Sequence, residues 1–162
     1  MKIITLSIPW MIVVDSIAWS IIQTGIAYLC LKFPPAILDH NTWLYRTRAW
    51  EKGGAIYEKL FRVKKWKSRL PDAGTIFRGA FSKNRIQSRD CDYMKTWARE
   101  TCRAELCHWV AILPSVLFFL WNSFPMGVAM VIYAVIFNAI PIIVQRHNRP
   151  RLLAIIKKKA CG

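Results

Sequence analysis

Three long stretches of this chain carry no Lys or Arg, and the basic residues are packed between and after them. The stretches run from Ile3 to Leu31, from Ala104 to Trp121 and from Phe124 to Val144. About 20 apolar residues of helix cross a bilayer. The second run is the shortest, and its 18 residues still give about 27 Å of helix. With three such runs in 162 residues, little is left to build a separate soluble core. The sequence therefore predicts an all-α integral membrane protein, a single membrane domain over 1–162. Its spans are expected at 8–31, 104–121 and 124–144, around a basic, aromatic-rich insert at 32–103 and before a basic tail at 145–162.

The charge fixes an expected orientation. Of 24 Lys and Arg, one precedes the first run, seventeen lie between Lys32 and Arg103, and six follow from Arg146 onward. Positive residues collect on the cytoplasmic side of a membrane. The chain is thus expected in the cell membrane, with its N-terminus outside and its insert and C-terminus cytoplasmic. A formal charge of +15 also suits nucleic-acid binding, since Trp and Phe are interleaved with the bases. A hydrophobic share of 54% makes membrane lipid the expected anion instead, and no nucleic-acid partner is expected.

Taken in order, the first run reads as a retained anchor rather than a cleaved signal, because it is long and Asp15 interrupts it. Asp15 has two readings: an intramembrane carboxylate with a function, or a shallow, solvated side chain near the outer interface. The second is favoured. Pro34-Pro35 ends the helix. Trp50 to Trp66 reads as one or two amphipathic helices broken at Gly53-Gly54, lying among headgroups or holding its Trp residues in a small core. A turn is expected at Leu70–Gly74 and a loop at 77–88. Asp92 to Arg103 leads as helix into the second span, kinked at Pro114. The third span is expected to end at Arg149-Pro150, leaving Leu152 to Lys159 as a separate surface tail. Five cysteines form no C-x-x-C pair. Cys91, Cys102 and Cys161 fall on the expected cytoplasmic side, where thiols stay reduced.

Two polar clusters flank the second and third spans, at the same end of a helical hairpin. In the first, Glu105 and His108 are three residues apart and share a helix face. A carboxylate beside an imidazole fixes its tautomer and strengthens its free nitrogen as a base. The same spacing supplies metal ligands in di-iron bundles, but there two copies are required, so no metal is expected. The bland alternative pairs Glu105 with Arg103 or Arg146 and leaves His108 interfacial beside Trp109. The second cluster is Gln145, Arg146, His147, Asn148, Arg149 and Arg151. Arginine grips phosphate with a planar fork, and Asn can donate to a developing oxyanion. Lipid headgroups alone would also account for some of these cations. No Ser nucleophile elbow and no Gly-rich phosphate loop occurs.

Several segments resemble one family. They are Arg103-Ala104-Glu105-Leu106 with His108-Trp109, Ile112-Leu113-Pro114, Asn138 through Arg146, and Asn148-Arg149-Pro150-Arg151-Leu152. Lys65-Trp66-Lys67 and Asp72 look like its middle motif. Together they resemble the glycosyl-4,4'-diaponeurosporenoate acyltransferases, most sharply from Glu100 to Leu152. The resemblance implies a small membrane enzyme that esterifies the sugar of a glycosylated C30 carotenoid acid with a fatty acyl group. That is the last step towards staphyloxanthin-type pigments. The expected partners are membrane lipid, the glycosyl carotenoid, an acyl donor and other enzymes of the pathway. No cofactor is expected beyond an acyl-thioester co-substrate such as that of coenzyme A. The roles follow from side-chain chemistry. His108 is the general base, Glu105 its orienter and Asn148 the oxyanion donor. Arg103, Arg146 and Arg149 hold the donor, with Gln145 and Trp109 at the substrate. The alternatives are a non-catalytic membrane adaptor, or a transferase acting on another isoprenoid or glycolipid.

Overall fold

The computed structural model describes residues 7–70, 88 and 90–159; the expected turn beyond Leu70 and the loop up to residue 87 lie outside them. Among the described residues the chain is helical, with no strand. The helices are α1 (Ile8–Leu31), α2 (Ala55–Phe61), α3 (Val63–Trp66), α4 (Cys91–Ile112) and α5 (Phe124–Lys158). Short 3-10 segments lie at Pro35–Ile37, Ala49–Gly54, Lys67–Arg69 and Leu113–Leu120. Three helical stretches, Ile8–Leu31, Cys91–Leu120 and Phe124–Lys158, are long and apolar enough to cross a membrane. The chain is thus an all-α protein with three candidate spans. It divides into two compact units: Met1–Lys32 with Leu106–Pro141, and Phe33–Glu105 with Ile142–Gly162.

In the first unit, α1 opens with a proline in its first turn, where the missing N–H costs nothing. It exposes Ile8, Trp10, Ile12, Val13, Ile17 and Ile21, as a lipid-facing helix does. Ser16 and Ser20 return their hydroxyls to the carbonyls of Ile12 and Ser16, each at 2.8 Å, so neither leaves a bare donor in an apolar environment. Trp19 gathers the unit together. Its ring centroid is 4.9 Å from that of Tyr133, 5.5 Å from Phe137 and 6.3 Å from Phe118. Asp15 corrects the expectation of a merely solvated carboxylate. Its Oδ1 accepts from Trp121 Nε1 at 2.6 Å and from Asn122 Nδ2 at 2.8 Å. The two donors come from the end of the second run and the turn after it, more than a hundred residues away in sequence. The second span also differs from expectation. α4 stops at Ile112 and a 3-10 segment carries on to Leu120, because Pro114 cannot donate to the carbonyl of Val110.

In the second unit the expected break near Gly53-Gly54 is present. Lys52, Gly53 and Gly54 all have positive φ, at 48°, 62° and 84°. Gly54 is required twice over. Besides its φ, a Cβ there would lie 2.9 Å from the carbonyl oxygen of His147 and 3.1 Å from that of Arg146. The packing on α5 also explains the main correction to the sequence reading. The helix does not end at Pro150 but continues to Lys158, so 152–159 is no separate tail. Pro150 cannot donate to the carbonyl of Arg146, and that carbonyl is one of the two against which Gly54 packs. Beyond the proline, Leu152 is buried against Met94 and Ala98 of α4, and this packing outweighs the local penalty. A second cluster joins Tyr57, Val63 and Val144, with Trp66 packed against it.

Cys30, Cys102 and Cys107 are outside any disulfide, whereas Cys91 is disulfide-bonded. The expectation of a reduced Cys91 is thereby overturned; spacing along the chain does not say which sulfurs meet.

Candidate functional site

Of the eight residues expected at the site, His108 and Trp109 belong to the first unit and the other six to the second. In the first unit, His108 Nδ1 lies 2.9 Å from Asn138 Oδ1. The Asn138 amide cannot be reversed, because its Nδ2 donates to the carbonyl of Ala134 at 2.9 Å. Asn138 is 0% exposed, so both halves of its amide require partners. With its oxygen turned to the ring, Nδ1 must carry the proton and donate. The imidazole lone pair then falls on Nε2, the arrangement a general base needs. Trp109, one residue on, is exposed.

In the second unit Glu105 is fully buried and gripped by two arginines. Its Oε1 accepts from Arg146 Nε at 2.8 Å and lies 2.7 Å from Nη2 in the ion pair, and its Oε2 accepts from Arg149 Nη2 at 2.6 Å. Arg146 continues to Glu51, with Nη1 donating to Oε1 at 2.8 Å, and to the carbonyl of Leu44 at 2.6 Å. Arg149 is 1% exposed. Its Nε donates to Thr101 Oγ1 at 2.8 Å, its Nη1 to the carbonyl of Tyr45 at 2.9 Å, and its Nη2 also to the carbonyl of Thr101 at 3.0 Å. Two carboxylates and two guanidiniums thus form a neutral buried quartet, with every nitrogen of Arg149 engaged. Such a group holds elements in register rather than adding net stability, because desolvation offsets most of the attraction. Burial and the neighbouring Glu51 push the Tyr57 hydroxyl up to about 12, so it adds no charge here.

The remaining expected residues lie around this quartet. Arg103 pairs with Glu100 at 3.0 Å and donates to the carbonyl of Phe33 at 2.9 Å. Gln145 is half-buried. Asn148 Oδ1 accepts from Lys67 Nζ at 2.8 Å and lies 3.0 Å from His147 Nδ1. His147 is fully buried and places Nε2 at 3.2 Å from Glu58 Oε2. A cavity of about 920 Å³ also occurs in this unit, and none of the expected site residues lines it. Its lining includes Asp39, Asp92, Lys95 and Arg99 beside Leu153 and Ile156, so its charges are of both signs.

The sequence reading missed Glu51, Glu58, Lys67, Thr101 and Asn138 as site residues. Glu51 and Glu58 carried a signal, being two of only nine acids in the whole chain. Asn138 had one too, as a polar residue within an uncharged span. Nothing local marks Thr101.

A family model described as glycosyl-4,4'-diaponeurosporenoate acyltransferase matches residues 41–158. Two relatives of that name come from Staphylococcus aureus. The one from strain MRSA252 is 34% identical over 144 residues, covering 88% of this chain and 86% of the relative. The one from strain Newman is 35% identical over 149 residues, covering 89% and 88%. No solved structure matches the chain significantly.

Proposed function

This chain belongs to the glycosyl-4,4'-diaponeurosporenoate acyltransferase family, and from that membership we propose that it esterifies the sugar of a glycosylated C30 carotenoid acid with a fatty acyl group. On this reading it is the last enzyme of a staphyloxanthin-type pathway. A polyene and an acyl chain both partition into lipid, which suits an acyltransferase with three apolar helices long enough to span it. The charge distribution supports an orientation with the insert and tail cytoplasmic, whereas the disulfide at Cys91 favours an oxidising surrounding for that part of the insert.

The observation that carries the mechanism is the His108–Asn138 pair. His108 Nε2 removes the proton from a sugar hydroxyl as its oxygen attacks the thioester carbonyl. The new C–O bond forms, the C–S bond breaks, and the proton passes to the departing thiolate. Asn138 takes the orienting role expected of Glu105. Glu105 instead anchors Arg146 and Arg149, which act as positioning residues of the second unit rather than as grips on the donor. Asn148 turns its oxygen to Lys67 and keeps its N–H groups for an anion.

The test is mass spectrometry of lipid extracts from cells that make the glycosyl carotenoid acid, with and without this protein. The expected result is a gain of one fatty-acyl mass on the glycoside, absent in His108→Ala. An unchanged ester yield in that variant would remove His108 from the mechanism. No ester at all, with the wild-type protein shown to be inserted, would leave another acceptor or an adaptor role.

A further inference from the structure

All three arginines expected to hold the donor are paired with carboxylates, so uncompensated positive charge in the second unit lies elsewhere. Lys67 is half-buried, and its one hydrogen bond among the described residues runs to a neutral oxygen, Asn148 Oδ1. Arg151 faces the ring of His147 through Nη1. Neither cation makes an ion pair among the described residues. The nearby carboxylate, Glu58, is already turned to His147 and to the backbone N–H of Lys64. Burial first, and then the charge of Arg151, hold the pKa of the Lys67 ammonium below its ordinary value; Glu58 opposes the shift only in part, and Lys64 adds to it. The two cations are linked through Asn148 and the His147 ring, and like charges in one cluster raise the energy of the empty arrangement, which a bound anion would relieve.

We infer that Lys67, Arg151 and the Asn148 amide form a binding site for a phosphate group. An ammonium can only donate, so the Asn148 oxygen must face Lys67, and its amide N–H groups are directed elsewhere as donors. Among the described residues Arg151 makes its contacts through Nη1, and its Nε and Nη2 are suited to a planar two-point grip on phosphate oxygens. The phosphate belongs either to a nucleotide-bearing acyl donor or to a lipid headgroup. In the first case the inference rests on the acyl-transfer reading above.

The experiment uses the full chain in neutral phosphatidylcholine nanodiscs and titrates coenzyme A by calorimetry, a readout independent of ester formation. Lys67→Gln and Arg151→Gln should each weaken binding about tenfold, with Lys67→Arg retaining it and the exposed Lys59→Gln unchanged. Native mass spectrometry of the same proteins from mixed phosphatidylglycerol–phosphatidylcholine nanodiscs gives the second arm. If coenzyme A binding is insensitive but the two Gln variants retain fewer phosphatidylglycerol molecules, the site stands and its phosphate is the lipid's. If both readouts match wild type in folded Lys67→Gln and Arg151→Gln proteins, the inference is overturned. Loss of ester formation with coenzyme A binding intact would count against the transferase mechanism and not against this site.

Discussion

Asn138 Oδ1 meets His108 Nδ1 at 2.9 Å, across 30 residues of sequence. The bond joins α4 to α5 inside the first unit and decides which imidazole nitrogen can accept a proton. General bases contribute about 10²- to 10⁴-fold to rate, and His108→Ala should lose a factor in that range in ester formed per unit time. Asn138→Leu should lose activity without loss of insertion, because the ring is left without its orienter. Asn138→Asp keeps an acceptor at the same place and should do less harm. Equal rates for Leu and wild type would separate the pair from the chemistry.

The neutral quartet makes a prediction about stability. Removing one member of a buried ion pair costs about 3–5 kcal/mol, so Glu105→Gln should lower the melting temperature sharply in detergent. Glu100→Gln, which breaks only the pair with Arg103, should do far less. Arg149→Lys should behave like a deletion, since one ammonium cannot reach Thr101, Tyr45 and Glu105 together.

Gly54 and Gly25 offer a matched comparison. A Cβ on Gly25 meets nothing within 4 Å, whereas one on Gly54 meets two carbonyl oxygens at a residue whose φ is already 84°. Gly25→Ala should be neutral or better by melting temperature, in line with the helix preference of about 1 kcal/mol for Ala. Gly54→Ala should be clearly destabilising, and the same result for both would mean that the approach to α5 is looser than described.

Asp15 should prove structural. Asp15→Val leaves Trp121 Nε1 and Asn122 Nδ2 without their acceptor, at a cost of about 1–3 kcal/mol. Asp15→Asn retains an acceptor and should be milder. Thermal unfolding of the two variants in one detergent is the check.

The parts of this architecture written in local pattern were legible beforehand. Three runs without Lys or Arg marked the long helices, and Gly53-Gly54 marked the break before α2. Proline misled once. Pro114 lies two residues beyond Ile112, where α4 ends, but Pro150 lies within α5, since the packing of Leu152 on Met94 and Ala98 is invisible from the proline's neighbours. The partners of charged groups were the least legible. Glu105 lies three residues from His108 in sequence, yet its oxygens are taken by Arg146 and Arg149, more than forty residues away. In a chain with 24 basic residues, spacing alone does not select one arginine over another. Asn138 was passed over for a similar reason, because its role depends on a histidine in another helix.

The quartet also has a consequence for the order of events on the ribosome. Glu51 and Glu105 are made before the two cations that neutralise them, Arg146 and Arg149. Until α5 emerges, a nascent chain holds both carboxylates without these partners, and they stay in contact with water. Closure of the second unit therefore waits on α5, and a ribosome that stalls before residue 146 would leave an open, protease-sensitive product.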